Sequence, residues 1–315
     1  LYLKTHSYGE FVFDWSWAQA YHRHGLAYYP KLVSAIPYTP ATGQRLLVAA
    51  GVDPQPVIQA MLDQVAAEAA GAGCSSVHWL FTTAGETRAL VGRGYLRRLG
   101  CQFHWHNPGY RDFADFLEVL NAKRRKNIRR ERRLAGASGL EVVLLPGHEV
   151  SDGQWRAFHG FYCDTFRRLG GWPTLTLGFF RDIAATLGEQ ILLVLARDGR
   201  REVAAAISYA SRTTLYGRHW GCLKEHDSLH FEVCYYQGID HCIRRGLTRF
   251  EPGAQGEHKI WRGFLPAVTE SAHWLAHPGF RQAVDDFLRR ETPAVLEYAR
   301  ALGQHSPYRE EAPAP

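Results

Sequence analysis

Apolar and polar positions follow two different periods along this chain, and both periods recur over its whole length. Short apolar or alternating runs, typical of β-strands, occur at residues 28–36, 76–81, 102–106, 140–145, 190–196, 202–210, 214–220 and 248–251. Stretches with helical spacing lie between them at residues 15–24, 55–70, 112–135, 151–169, 177–187, 229–245 and 279–302. Because the two kinds of element interleave, the pattern predicts an α/β protein.

The segment Asp198-Gly-Arg lies between two apolar runs and has the composition of a hairpin turn. It predicts an antiparallel pair of strands over residues 191–209. The run at 214–220 would extend this pair as a meander. We therefore predict a mixed sheet of the α+β kind and not an all-parallel one.

Residues 21–30 and 241–252 resemble each other, since each reads as a helix end, a Gly-Leu break and a strand. A strand with Tyr-Gly precedes each copy. Two copies of one α/β unit would explain this echo, and chance recurrence of helix-glycine-strand punctuation is the alternative. We predict an N-terminal unit at 1–137, a C-terminal unit at 138–304 and a disordered tail at 305–315. Pro293 is expected to kink or restart the last helix.

The composition bears on compartment and partner. With 315 residues, 46 % of them hydrophobic, the chain can bury a full core. Its net charge of +6 and sequence pI of about 9.0 suggest an anionic partner. The six cysteines include no C-x-x-C pair, so neither a disulfide framework nor a zinc knuckle is indicated, and a reducing, cytoplasmic compartment fits best.

The sequence contains no run of 18 apolar residues, so no membrane span is predicted. Its first residues lack the charged start and apolar middle of a signal peptide. The chain opens without Met in what reads as the middle of a strand. We therefore expect an N-terminal segment to be missing, together with any targeting signal that it carries.

Eight basic residues fall between positions 123 and 133, and Glu131 is the lone acid among them. Only Ala122 and Ile128 could face a core, so this half of the predicted helix should project from the fold. The run is either a solvated helix between domains or a surface for phosphate groups of a substrate or nucleic acid. Membrane attachment is less favoured, because no broad apolar face accompanies the charges. Under the second interpretation the phosphate-binding side chains are Lys126, Arg129 and Arg130.

Common catalytic motifs are missing: the sequence has no nucleophile elbow, Walker loop, H-E-x-x-H or G-x-G-x-x-G in its required context. His104 and His106 alternate on a predicted strand, which would place both imidazoles on one face. No third ligand is in view. Ordinary hydrogen-bonded histidines are therefore favoured over a metal site, and we predict no metal.

Ionisable and aromatic residues gather near the end of the chain's last predicted sheet segment. Tyr216, Arg218 and Trp220 would share one face of the strand at 214–220. His230 and Glu232 fall in the first turn of the next helix, where a carboxylate can also serve the helix dipole alone. Glu251 ends the following strand, so we expect these groups to converge at one sheet edge, as acid-base chemistry requires.

The segment 251–259 carries more chemistry than a turn requires. A hairpin turn needs two to five residues, whereas this segment has glycines at 253 and 256 followed by Glu257-His258-Lys259. We interpret it as a site. The alternative is a structural hinge with exposed salt bridges, each worth at most about 1 kcal/mol.

Several blocks together resemble a known family: 7–14, 102–110, 123–133, 216–221, 229–232 and 251–259. They are similar to the bacterial predicted N-acyltransferases grouped with the Fem-type peptidoglycan aminoacyltransferases, within the wider GNAT fold. The similarity spans residues 1 to about 307, and block 251–259 is its most specific part. It implies two tandem GNAT-like units in a Fem-type arrangement, the first truncated at its N-terminus, and transfer of an acyl or aminoacyl group to an amine.

The resemblance leaves two donors open, and neither would be bound permanently. GNAT enzymes hold the coenzyme A pyrophosphate at a glycine-rich helix N-terminus, but the segment 88–94 departs from that pattern at Ala89. Fem-type enzymes use aminoacyl-tRNA, which would suit the basic helix. In Fem-type enzymes a Phe-Lys pair follows a strand end, and here Lys259 follows His258. The co-substrate is thus acyl-CoA or aminoacyl-tRNA, with tRNA as a possible partner.

We therefore expect an N-acyltransferase acting on a small-molecule or peptide amine. Glu251, Glu257 or His258 would take the amine proton, and Lys259 or backbone N–H groups would stabilise the oxyanion. The remaining candidates for substrate binding are Tyr216, Arg218, Trp220, His230, Glu232, Gln255, Arg262, His104 and Trp105. A non-catalytic GNAT-like protein that binds RNA or an acidic partner through the basic helix is the alternative function.

Overall fold

The computed structural model describes residues 1–254 and 256–309, which form two compact units. The first comprises Leu1–Gln102 and Pro266–Ala301, and the second comprises Phe103–Leu265 with the chain from Leu302 onward. The predicted boundary after residue 137 does not coincide with this division. The reason is that the strand after residue 265 pairs in the sheet of the first unit, which sequence order alone does not indicate.

Ten strands and ten α-helices follow one another among the described residues. In chain order they are β1 (Tyr2–Lys4), α1 (Trp15–Arg23), β2 (Lys31–Ser34), α2 (Pro54–Gly71), β3 (Ser76–Thr82), α3 (Ala84–Val91), β4 (Leu96–His106), α4 (Phe113–Glu118), α5 (Ala122–Ala137), β5 (Glu141–Pro146), α6 (Asp152–Arg168), α7 (Leu177–Leu187), β6 (Ile191–Asp198), β7 (Arg201–Ala210), β8 (Thr214–Cys222), α8 (Leu229–Phe231), α9 (Gln237–Arg245), β9 (Arg249–Glu251), β10 (Leu265–Leu275) and α10 (Pro278–Gly303). A π-helical turn, Glu232–Tyr236, joins α8 to α9, and a 3₁₀ turn, Glu257–Arg262, follows β9.

In the first unit the strand β3 is fully buried and pairs with a strand on each side. Strand β2 pairs parallel to β3, β1 pairs antiparallel to β2, and β10 pairs antiparallel to β3. All seven residues of β3 are buried. Helix α2 begins with Asp53 as its cap and proline in its first turn, where proline's fixed φ suits a helix. Its buried side chains, Leu62 and Val65, pack on Val77.

The first unit also buries a charged residue. Lys31 has 0 % of its side chain exposed, and its ammonium group donates to Ser7 Oγ at 2.8 Å, Glu10 Oε2 at 2.8 Å and Asp14 Oδ2 at 2.5 Å. The Tyr28 hydroxyl donates to the same Asp14 oxygen at 2.6 Å. A buried ammonium has three N–H groups to satisfy, and these three oxygens satisfy all of them.

The second unit confirms the predicted meander. Strands β5, β6, β7 and β8 are consecutive antiparallel neighbours, and Gly199, with φ of +58°, supplies the left-handed conformation of the hairpin between β6 and β7. Strand β9 pairs parallel to β8 and antiparallel to β4. The sheet is therefore mixed, as predicted. Helices cover both of its faces, which is why β6 reads as a continuous apolar run.

The internal echo has a counterpart in the structure. Gly25 follows α1 and Gly246 follows α9, with φ of +69° and +66°. In each case the next leucine donates its N–H to the carbonyl five residues earlier, Leu26 to Tyr21 at 3.0 Å and Leu247 to Cys242 at 2.9 Å. Both helices therefore end with the same left-handed glycine cap, which the Gly-Leu pattern indicates.

Three local predictions were wrong in whole or in part. Residues 112–135 form two helices, because the Asn121 side chain caps α5 by accepting from Arg124 N at 3.0 Å, and Asn121 itself is extended. Helix α10 does not restart at Pro293 but continues through it, because proline's fixed φ is helical, although the helix loses one N–H donor there. Residues 306–309 of the predicted disordered tail are packed, with the Tyr308 hydroxyl donating to the Gly263 carbonyl at 2.8 Å. Residues 310–315 lie outside the described chain.

Candidate active site

The candidate site lies in the second unit, where β9 ends beside β8. Parallel pairing places Glu251 opposite Tyr216, so the end of β9 and the middle of β8 are neighbours. The chain then passes through Gly253 and Gly256, with φ of +99° and +114°, into the 3₁₀ turn Glu257–Arg262. These two glycines occupy backbone conformations that other residues rarely adopt. They let the chain fold back so that the turn follows immediately after Glu251.

The Glu251 carboxyl group is buried without a hydrogen-bond partner among the described residues. The residue is 4 % exposed, and neither carboxyl oxygen accepts a hydrogen bond. Arg249 Nε lies 3.0 Å from Oε1 without a hydrogen bond between them, and His104 Nε2 lies 3.9 Å from Oε2. Burial raises the pKa of Glu251 to about 7, although the Arg249 charge opposes this shift. A carboxyl group in this state is suited to exchange protons at neutral pH.

Lys259 is the buried cation of the turn. It is 3 % exposed, and its ammonium group donates to the Gly253 carbonyl at 2.8 Å. Burial lowers the pKa of Lys259 to about 8. Its charge contributes to lowering the pKa of His104 to about 3, although burial and Arg249 contribute more. Lys259 and His104 are therefore electrostatic neighbours, and His104 in turn lies beside Glu251.

A second cluster of rings adjoins the turn. His258 Nε2 and the Tyr235 hydroxyl share a hydrogen bond of 3.0 Å. The His230 ring lies 5.3 Å from the rings of both Tyr235 and Trp220. Burial, together with the charges of Arg262 and Lys259, lowers the pKa of His258, and burial lowers the pKa of His230 to about 4. Both imidazoles are consequently neutral at pH 7.

The three candidates for the general base differ in their surroundings. Glu251 is buried, whereas Glu257 is exposed in the same turn, and the His258 ring is already hydrogen-bonded to Tyr235. The geometry therefore favours Glu251, the buried carboxyl group without a hydrogen-bond partner among the described residues, as the candidate base. Gln255, another predicted site residue, lies outside the described residues.

The expected common face of Tyr216, Arg218 and Trp220 does not exist. The β7–β8 register shifts between Ile207 and Ser208, which leaves Arg218 in a β-bulge and interrupts the alternation of side chains. Trp220 packs beside His230, whereas burial lowers the pKa of Arg218 to about 10, although Tyr209 and Tyr162 oppose this shift. A bulge has no signature in the apolar pattern, and so the sequence could not indicate it.

Three other predicted binding residues are engaged by the fold itself. Trp105 is fully buried in the hydrophobic core, on the opposite side of β4 from His104, so it cannot line a site. Glu232 and Arg262 are paired with side chains of α5. Helix α5 therefore does not project as expected, because Ile128 and these ion pairs hold it against the second unit. Its predicted phosphate-binding residues, Lys126, Arg129 and Arg130, are all exposed.

Sequence reasoning did not identify Tyr235, Arg249, Glu131 and Arg132 as neighbours of the site. Tyr235 and Arg249 lie in ordinary helix and strand patterns that carry no signal of their own. Glu131 did carry one, since it is the lone acid in a basic run. Its pairing with a residue 131 positions later could not be read from that signal.

The segment 88–94 in the first unit does not form a pyrophosphate loop. It lies at the C-terminal end of α3, and the N–H groups of Gly92, Arg93 and Gly94 donate to helix carbonyls. A pyrophosphate needs free N–H groups at a helix N-terminus. Within residues 1–254 and 256–309, no three His, Cys, Asp or Glu side chains form a group that could hold a metal ion. None of the described helices is long and apolar enough to cross a membrane.

Solved structures with the same fold define the class of this protein. FemX superposes with a TM-score of 0.51 at 12 % identity, over 80 % of this chain and 85 % of FemX. A C-terminal domain from Agrobacterium fabrum, named for a lysylphosphatidylglycerol synthetase, gives a TM-score of 0.52 at 9 % identity, over 75 % and 78 % of the two chains. A tandem GNAT protein from the clavulanic acid biosynthesis pathway gives 0.44 at 10 % identity, over 76 % of each chain. The predicted mixed α/β fold is confirmed, since FemX has the same fold.

The family follows from the sequence profile. Among curated protein sequences none is significantly similar to this chain. The profile of the FemAB-like family, described as peptidoglycan biosynthesis/recognition, matches residues 1–310. The protein therefore belongs to the FemAB-like family, and the resemblance inferred from the sequence blocks is confirmed.

Proposed function

We propose that the protein is an N-acyltransferase, which moves an acyl or aminoacyl group from an activated ester or thioester to an amine. The observation that carries this proposal is the buried Glu251 carboxyl group, whose oxygens accept no hydrogen bond among the described residues and whose pKa is raised to about 7. A group of this kind can accept a proton from an amine that enters beside it. The family description and the fold shared with FemX support the same class of reaction.

In the proposed reaction the amine nitrogen attacks the acyl carbon of the donor and forms the new C–N bond. Glu251 takes the proton that the amine loses. The tetrahedral intermediate then collapses, the C–O or C–S bond to the donor breaks, and the leaving oxygen or sulfur receives the proton. General-base assistance of this kind is worth about 10²- to 10⁴-fold in rate.

Lys259 is proposed to stabilise the charge that the acyl oxygen acquires. Among the described residues its ammonium group uses one N–H for the Gly253 carbonyl, which leaves two donors of the three that an ammonium carries. A preorganised donor in a buried site stabilises an oxyanion more strongly than water does. Tyr216, which pairs opposite Glu251, and Trp220, which packs beside His230, are proposed to shape the acceptor pocket together with Gln255, whereas Arg218 at the bulge is no longer proposed to line it.

The donor is proposed to be an aminoacyl-tRNA in preference to acyl-CoA. The N–H groups at 92–94 are occupied by α3, so that segment offers no cradle for pyrophosphate. The exposed Lys126, Arg129 and Arg130 offer α5 as a surface for a phosphate backbone. The family description favours an amine of a peptidoglycan-type peptide as the acceptor, and a cytoplasmic location would suit this donor.

The test is a transfer assay with two labelled donors, acetyl-CoA and a mixture of aminoacyl-tRNAs, and a panel of lysine-containing peptides and small amines. The wild type should form an acid-stable amide product with one donor. Glu251→Gln should slow product formation by about 10²-fold or more, because the amide keeps the shape and removes the base. Glu257→Gln is the matched control, since this exposed carboxylate lies in the same turn.

Equal rates for the wild type and Glu251→Gln, once transfer has been demonstrated, would contradict the assignment of the base. Equal losses for Glu251→Gln and Glu257→Gln would point to a general electrostatic effect of the turn. Salt dependence separates the donors, because binding through phosphate contacts weakens steeply between 50 and 200 mM salt.

The second candidate is a non-catalytic binding protein, and the exposed cations of α5 favour it. Charge reversal at Lys126, Arg129 and Arg130 should abolish RNA binding under either function. Under the binding function, Glu251→Gln should leave the biological activity intact. The loss of RNA binding in the charge-reversed protein is measured by titration calorimetry with uncharged tRNA at two salt concentrations, with coenzyme A as the comparison ligand.

A further inference from the structure

Helix α5 carries one acidic side chain in its basic run, and this side chain is turned toward the fold. Glu131 Oε1 accepts from Arg262 Nη2 at 2.7 Å, and Oε2 accepts from Arg262 Nε at 3.1 Å. The Tyr236 hydroxyl donates to the same Oε2. The side chains of Glu131 and Arg262 are 15 % and 6 % exposed, so this forked ion pair is largely withdrawn from water.

The next residue along α5 makes the converse pair. Arg132 Nη2 and Nε donate to Glu232 Oε1 and Oε2 at 3.0 and 3.1 Å. Gln237 Nε2 also donates to Glu232 Oε1, at 2.8 Å. Adjacent residues of opposite charge on α5 are therefore each forked to a different element, the 3₁₀ turn through Arg262 and the π-helical turn through Glu232.

This arrangement specifies a position more than it adds stability. If α5 shifted by one residue relative to its partners, a carboxylate would meet a carboxylate or a guanidinium a guanidinium. Like charges in a partly buried place repel strongly, whereas the correct pairs roughly offset their own desolvation. The four charges of Glu131, Arg132, Glu232 and Arg262 therefore permit one register of α5 relative to the 3₁₀ turn and the π-helical turn.

The element that this pairing holds is the turn with Lys259. Arg262 Nη1 donates to the His258 carbonyl at 2.8 Å, and the guanidinium carbon lies 3.4 Å from the centre of the Phe231 ring. The turn lies between Gly256 and Gly263, both with positive φ, so its own backbone constrains it weakly. The Arg262 side chain thus connects the backbone beside Lys259 to α5.

We propose that Glu131 and Arg132 are positioning residues of the candidate active site, which hold the turn with His258 and Lys259 through Arg262 and hold the π-helical turn through Glu232. The inference deepens the proposed function and rests on it, since the turn matters to the reaction because it carries Lys259. Glu131 and Arg132 themselves are expected to touch neither donor nor acceptor.

The first test measures position without any substrate. Glu131→Gln keeps the length of the side chain and removes its charge. Amide hydrogen exchange over residues 257–264, and labelling of the Lys259 amine followed by mass spectrometry, should each become at least about tenfold faster. Arg133→Gln, an exposed neighbour on α5, is the control and should change neither rate. The doubly substituted Glu131→Arg/Arg262→Glu restores an opposite-charge pair and should recover most of the protection.

Unchanged exchange and labelling in Glu131→Gln would overturn the proposal. A uniform increase across the whole second unit would overturn it as well, because it would indicate general destabilisation. Arg262→Lys serves as a second variant: it keeps the charge but loses the fork, and it should loosen the turn in the same way without removing the cation.

The second test uses the transfer assay once the wild type has shown activity. Glu131→Gln should lower kcat by at least about tenfold with KM changed by less than about threefold, and the doubly substituted variant should regain rate. A loss confined to KM would contradict positioning of a group used in the transition state. Absence of transfer in the wild type would contradict the proposed function, while the exchange and labelling results would still decide whether Glu131 positions the turn.

Discussion

The free energy of unfolding of Glu251→Gln, compared with that of the wild type, should increase as the pH rises. Burial raises the pKa of this carboxyl group to about 7 from an ordinary value of 4.5. The folded protein therefore binds the proton more tightly than the unfolded chain does. The carboxyl group therefore costs no stability while it is protonated in both the folded and the unfolded state. This cost to the free energy of unfolding grows as the pH rises through 4.5, and it levels off above pH 7.

The magnitude comes from the two pKa values. Each unit of pKa difference corresponds to about 1.4 kcal/mol, so a shift from 4.5 to about 7 costs roughly 3 kcal/mol once the folded group is ionised. Between pH 5 and pH 8 the wild type should lose roughly 2–3 kcal/mol relative to Glu251→Gln. Any constant difference between the packing of Glu and Gln cancels in this comparison.

The assay is urea unfolding of both proteins at pH 5 and pH 8, followed by far-ultraviolet circular dichroism. Glu257→Gln is the matched control, and its stability difference from wild type should stay constant within about 0.5 kcal/mol, as is usual for an exposed group. The reasoning is refuted if Glu251→Gln becomes relatively less stable at pH 8. That outcome would mean that the Glu251 carboxylate is ionised and paired with Arg249, so that its removal leaves a buried charge uncompensated.

Three further predictions address the site and the two units. The pH profile of kcat/KM for the transfer reaction should rise through about pH 7 and fall above about pH 8, because Glu251 must be ionised and Lys259 protonated. Glu251→Gln should lose the rise on the acid side, and a flat wild-type profile would contradict both roles. Asp14→Asn should lower the free energy of unfolding by about 3–5 kcal/mol, because it removes one of the two carboxylates that contact the buried Lys31. Asp63→Asn, at an exposed ion pair, should lower it by about 1 kcal/mol or less. Equal effects of the two substitutions in denaturant titrations would contradict this role of Asp14. Gly221→Ala should destabilise the second unit by about 1–3 kcal/mol, because the added methyl would lie 2.4 Å from the Phe161 carbonyl oxygen. Gly160→Ala, which has open space around it in α6, should raise the melting temperature. An unchanged stability of Gly221→Ala would refute the close approach of α6 to β8.

Much of the second unit could be predicted from local pattern. The hairpin at Asp198 was found because a two-residue turn between strands needs a left-handed glycine, and Gly199 has that conformation. The segment after Glu251 is interpreted as a site because its charged residues exceed what a turn requires, and this stays a prediction. The hairpin inference succeeds because turn chemistry and apolar periodicity are properties of a few consecutive residues.

The first unit shows where this reasoning ends. Strand β10 pairs with β3 although almost two hundred residues separate them along the chain, and the predicted boundary after residue 137 therefore failed. The bulge at Arg218 likewise escaped the sequence, because it depends on how β8 pairs with β7. Pairing between distant strands is decided by packing of the whole sheet, and single-segment patterns carry no record of it.

The sequence by itself determined the class of fold and the family, and it indicated the stretch of chain that we propose as the site. Only the tertiary structure decided that Glu251 loses its water while Glu257 keeps it, and that the lone acid of the basic helix is paired with Arg262. The physical reason is that a carboxyl group's proton affinity depends on the solvent and charges around it. Those surroundings come from α5, β4, β8 and the turn after β9, which meet only in the folded chain.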